Sequence, residues 1–130
     1  KGVRVLETRE ELEALESGTV VIRSHGVSRA VYEALQARNV QIIDATCPFV
    51  KRIHTIVSNA REEGRMPIII GTRSHPEVEG IAGWCDKCEI FENVQELEKW
   101  VETEGIPNNL PISMVAYPST SNCLESSLSK

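Results

Sequence analysis

The chain has 130 residues, with 14 Lys and Arg against 19 Asp and Glu, 41% apolar residues and a net charge of −5. That is the size and balance of one soluble globular domain, and without a basic cluster it excludes nucleic acid or an anionic membrane surface as a partner. Its apolar runs are too short to span a bilayer, and four cysteines with no secretory or other targeting segment predict reduced, catalytic or metal-binding thiols rather than a disulfide framework.

The elements alternate α and β from the start. Thr8-Arg9-Glu10-Glu11 is a capping box that opens a short helix with Leu12 and Leu15 on one face. Val20 to Ile22 reads as a buried strand. Ser28 is placed to cap a helix carrying Val31 and Leu35 and ending near Asn39. Val40 to Ile43 is the next strand, broken by Thr46-Cys47-Pro48. From Pro48 to Glu63, Phe49, Val50, Ile53, Ile56, Val57 and Ala60 mark a long amphipathic helix stopped by Gly64. Pro67 to Gly71 is a third strand, Glu89 to Phe91 a short fourth. Asn93 caps a helix with Leu97, Trp100 and Val101, and Ile112 to Ala116 is the last strand. This order predicts an α/β fold with mostly parallel sheets and flanking helices. After Ala116 the pattern stops in a Ser-rich tail. A chain that opens on Lys1 and enters ordered pattern almost at once is expected to be a piece of something longer.

In open α/β sheets, ligands gather beyond the carboxyl ends of strands. Ser24-His25-Gly26 follows the first strand, Asp44-Ala45-Thr46-Cys47 the second, and Thr72 to Gly80, with His75, Glu77 and Glu79, the third. Pro48 suits the first helical position, which puts Cys47 at a helix mouth, where free N–H groups and the dipole favour thiolate over thiol. Cys47 is therefore a candidate nucleophile or metal ligand, against the plainer use of a free cysteine as a small buried hydrophobe. His25 and His75 suit an anion such as phosphate or diphosphate, with Gly26 allowing close backbone approach; neutral imidazole is also a metal ligand. Glu77 and Glu79 suit either a helix cap or, for Glu77 near His75, proton transfer to a bound substrate. His54 is read as a core-edge or surface residue. Cys85-Asp86-Lys87-Cys88 is a lone C-x-x-C, a weak signal for zinc without a second pair.

Three segments together carry a resemblance: Ser24-His25-Gly26-Val27-Ser28, Ile43-Asp44-Ala45-Thr46-Cys47-Pro48-Phe49-Val50-Lys51 and His75-Pro76-Glu77-Val78-Glu79-Gly80. In order and spacing they resemble the 4-hydroxy-3-methylbut-2-enyl diphosphate reductases, iron–sulfur enzymes of the non-mevalonate isoprenoid pathway, over about residues 3–116. The resemblance implies a three-lobed (trefoil) fold around a central cavity, each lobe giving one cysteine to a 4Fe–4S cluster. Residues 1–47 would end the first lobe, 48–116 form the second, and 117–130 an irregular tail. It further implies Cys47 as one cluster ligand, with the other cysteines outside this chain. His25 and His75 would bind the diphosphate of a small allylic substrate, and Glu77 would relay a proton to the leaving hydroxyl. The electron donor would be a ferredoxin or flavodoxin, the setting bacterial cytoplasm or plastid stroma. One cysteine does not hold such a cluster, so the chain by itself is expected to be inactive.

Where the family reads Gln-Thr-Thr after the last strand, this chain reads Tyr117-Pro118-Ser119, and no site residue is assigned there. Two rival readings follow from the departures: a domain of the same fold that has lost cluster and activity, or a small zinc or redox module built on Cys85 and Cys88.

Overall fold

The computed structural model describes residues 2–106 and 110–117; the Ser-rich tail from residue 118 on, Cys123 included, lies outside the described residues. In chain order the elements are α1 (Arg9–Glu13), β1 (Gly18–Ile22), α2 (Arg29–Gln36), β2 (Val40–Asp44), α3 (Pro48–Ala60), β3 (Met66–Ile70), α4 (Pro76–Ala82), β4 (Glu89–Phe91), α5 (Val94–Thr103) and β5 (Ile112–Ala116). All pairings are parallel, as expected, and they fall into two sheets: β1–β2, and a second in the order β4–β3–β5. Among the described residues, no helix is long and apolar enough to cross a membrane.

Local chemistry sets the helix starts. Thr8 and Glu11 make a reciprocal capping box, Ser28 accepts from the Val31 N–H, and Asn93 accepts from the Glu96 N–H at 2.9 Å. Glu96 does not close a box on Asn93; its carboxylate reaches back to the Glu92 N–H at 3.1 Å and to Arg73 at 3.0 Å. α2 stops at Gln36, earlier than Asn39. α3 ends at Ala60 rather than Glu63, since residues 61–64 turn out of the helix and Gly64 takes φ +67°.

The core belongs to the second sheet. Ile68 and Ile69 of its central strand are fully buried, and Val57 of α3, Val78 and Ile81 of α4 and Val115 of β5 close around Ile69. A central parallel strand covered on both faces reads as an unbroken apolar run, as Ile68-Ile69-Ile70 does. α3 follows β2 in sequence yet packs on α4, β3 and β5. Its buried stripe is Val50, His54, Val57 and Ala60, at helical spacing; Phe49 and Ile56, expected on that stripe, face outward, Phe49 at 79% exposure.

Candidate active site

The parallel strands bring their carboxyl ends together, and the loops that leave them meet there. Cys47 is the N-cap of α3. Its N–H donates to the Ser24 carbonyl at 3.0 Å, tying the loop after β2 to the loop after β1, and its carbonyl accepts from the Lys51 N–H at 3.0 Å. The half-buried thiol makes no capping hydrogen bond. Beside it, Asp44 braces the turn: its carboxylate accepts from the Thr46 N–H at 3.0 Å and from the Thr46 hydroxyl, and meets Lys51 Nζ at 2.7 Å. Burial opposes the Asp44 charge, but Lys51 and the two Thr46 donors outweigh it and hold the carboxyl below its ordinary value. The brace fixes where Cys47 begins its helix.

Glu77 lies in the first turn of α4 and is buried, whereas Glu79 is exposed. Neither carboxylate caps the helix. His75 does, with Nδ1 accepting from the Glu77 N–H at 3.3 Å. An imidazole that accepts at Nδ1 carries its proton at Nε2, leaving that N–H to donate elsewhere. From the other side, His25 Nε2 stands 3.8 Å from Glu77 Oε1, close enough for charge to be felt but too long for a hydrogen bond.

Ser24, Cys47, Phe49, Val50, Ile53, Glu77, Ala116 and Tyr117 line one concavity of about 380 Å³. The four residues singled out in the sequence thus converge: Cys47 and Glu77 on the wall, His25 against Glu77, His75 at the start of the Glu77 helix. Sequence reasoning missed Tyr117. Its ring packs on His75 with centroids 4.8 Å apart, and the Glu77 carboxylate beside its hydroxyl holds the phenol above its ordinary value. Its N–H donates to the Ile70 carbonyl at 2.9 Å, continuing the β3–β5 ladder past Ala116. The signal lay in the strand itself, because a residue just past the end of a predicted parallel strand belongs to the ligand edge.

His54 lies at the core edge, not on the surface, stacked on a Trp84 that packs against the core cluster. It is 6% exposed, its ring centroid lies 5.2 Å from that of Trp84, and its Nε2 has no hydrogen-bond partner among the described residues. Burial lowers its pKa against the opposing pull of Asp44. The cause of its burial is distant in sequence: the loop at Gly26 closes over it.

Cys85 and Cys88 lie half-buried after α4, against the second-sheet core. The Cys85 thiol donates to the Ala82 carbonyl at 3.5 Å; the neighbouring Cys88 thiol raises the pKa of Cys85, and Cys85 lowers that of Cys88. Among the described residues, no three His, Cys, Asp or Glu side chains converge as a metal site, so the zinc reading finds no third ligand there.

A family model described as LytB protein matches residues 1–123. The chain belongs to the LytB protein family. It is 46% identical over 99 residues to the 4-hydroxy-3-methylbut-2-enyl diphosphate reductase of Caldanaerobacter subterraneus subsp. tengcongensis, covering 75% of this chain and 34% of that protein. It is 51% identical over 87 residues to the enzyme of the same name from Thermoanaerobacter sp., covering 66% of this chain and 30% of that protein. Among solved structures, a reductase described as the terminal enzyme of the non-mevalonate pathway superposes with a TM-score of 0.63 at 34% identity, over 80% of this chain and 36% of that one. The Plasmodium falciparum reductase superposes with a TM-score of 0.70 at 28% identity, over 81% of this chain and 32% of that one. The fold is that of these reductases, and the chain spans about a third of the length of the curated relatives it matches.

Proposed function

We propose that these residues form the central part of a reductase that removes the hydroxyl of 4-hydroxy-3-methylbut-2-enyl diphosphate, giving isopentenyl and dimethylallyl diphosphate. The observation that carries this reading is the concavity shared by the Cys47 thiol and the buried Glu77 carboxyl, with His25 Nε2 3.8 Å from that carboxyl and His75 capping the Glu77 helix. A 4Fe–4S cluster is implied, and Cys47 fits as one of its ligands: a half-buried thiol, free of capping bonds, at a helix mouth and beside apolar Phe49, Val50 and Ile53. The remaining thiolates would come from outside this chain. Bound there, the cluster would supply electrons and Lewis acidity at the substrate oxygen.

The chain's own residues would do the rest. His25 and the Nε2–H of His75 would donate to the diphosphate. Glu77 would deliver a proton to the leaving hydroxyl, and Tyr117, beside that carboxylate, would hold its orientation. The net change is two electrons and two protons taken up, one C–O bond broken, one C–H bond formed and one water released. A ferredoxin- or flavodoxin-type carrier would bring the electrons.

The test is turnover by the full-length protein under anaerobic conditions. Glu77→Gln is expected to lower kcat by at least about 10²-fold with KM little changed. Full turnover in that variant would remove Glu77 from the role, and a parent protein without turnover would remove the reading.

A further inference from the structure

Trp84 does not line the concavity of Cys47 and Glu77, yet it holds the loop that carries His25. Its indole N–H donates to the Val27 carbonyl at 2.7 Å, two residues beyond His25. The buried His54 ring stacks on it with planes 16° apart, and Arg29 Cζ lies 5.5 Å from the ring centroid. His54 in turn backs the loop at Gly26. A Cβ built there would lie 2.7 Å from His54 Cε1 and 3.0 Å from Thr46 Cγ2, and Gly26 has φ +73°, so the approach needs glycine twice over.

α4 completes the clamp. A Cβ at Gly83 would lie 2.3 Å from Ser28 Cβ, the Gly83 carbonyl accepts from the Arg29 N–H at 3.3 Å, and a Cβ at Gly80 would lie 3.7 Å from the His25 carbonyl. The same short helix therefore carries Glu77 in its first turn and grips the His25 loop at its other end. We propose that Trp84, seated on His54, is a positioning residue that sets His25 against Glu77. The 3.8 Å separation of that pair is the quantity it controls, and displacements near 1 Å matter at such a site. The consequence for ligand binding rests on the reading of His25 as a diphosphate ligand; the positioning does not.

The experiment uses the full-length protein and Trp84→Phe, which keeps an aromatic ring on His54 and deletes only the N–H. Two readouts are taken: the imidazole NMR shifts of His25 and His75, and calorimetric affinity for inorganic pyrophosphate. The His25 signals are expected to move while those of His75 stay. Pyrophosphate affinity should fall about fivefold, the worth of one net hydrogen bond, and by less than about twofold when His25→Ala is already present. Unmoved His25 signals overturn the proposal, and so does an equal loss of affinity in both backgrounds. If His25 moves but His25→Ala leaves pyrophosphate affinity intact, the positioning stands and the diphosphate role of His25 fails. Should Trp84→Phe not fold, Trp84→Tyr, which also keeps a ring on His54 and lacks the indole N–H, is read in the same way.

Discussion

The two sheets are built to different degrees of closure. In the second sheet, β3 lies between β4 and β5, its Ile68 and Ile69 fully buried and α3 and α4 packed around Ile69. The first sheet is a single parallel pair with α2 against β2 and no helix on its other face among the described residues. On that open face Val21 pairs with Ile43 and Thr19 with Gln41, and Val21 and Ile43 are 52% and 48% exposed. Parallel sheets are normally covered on both faces, so the first sheet draws its stability from elsewhere. Part of it comes across the seam, where Trp84 and His54 of the second unit hold the loop after β1. The catalytic candidates sit on this seam, with His25 and Cys47 leaving the first sheet and Glu77 leaving the second.

Mutations in the two sheets should separate them sharply. Ile69→Ala is expected to cost about 2–5 kcal/mol in denaturant unfolding, because it empties a site with no exposure and rigid neighbours. A cost below about 1 kcal/mol would mean that the second sheet is not the core. The seam should show itself in pH dependence. Folding holds the His54 pKa below 6.5, so the unfolded chain takes up a proton that the folded chain refuses. Its contribution is complete above pH 6.5 and is lost as the pH falls towards the depressed folded value. Stability should therefore decline between pH 7 and 5, and His54→Gln should flatten that slope; an unchanged slope would show that folding does not hold the His54 pKa down. The smallest effects belong to the open face, where Val21→Thr and Ile43→Thr keep β-branching and should each change stability by less than about 0.5 kcal/mol. A larger cost would show that something covers this face.

What could be read in the sequence follows from how local each cause is. Thr8, Ser28 and Asn93 announce their helices because a cap is satisfied within three residues. β4 and β5 have the bounds their β-rich runs predict. The ligand edge was legible because parallel strands place His25, Cys47 and Glu77 at the same end. Surroundings that could not be read depend on distant partners. His54 is buried only because the Gly26 loop, nearly thirty positions earlier, folds onto it. Tyr117 reaches Glu77 only through the parallel register of Ile70 with Ala116. His75 displaces the carboxylates as cap because its ring nitrogen accepts from the Glu77 N–H, a choice that residue type alone does not dictate.

The proposed role of Cys47 is that of an iron–sulfur ligand in the concavity it shares with Glu77. It is tested most directly by anaerobic reconstitution of the full-length protein and its Cys47→Ser variant with iron and sulfide, followed by iron analysis and the visible spectrum. About four irons and a brown 4Fe–4S spectrum are expected for the parent protein, with loss of most of both in the variant. A parent that stays colourless, or a variant that reconstitutes as fully as the parent, would contradict it.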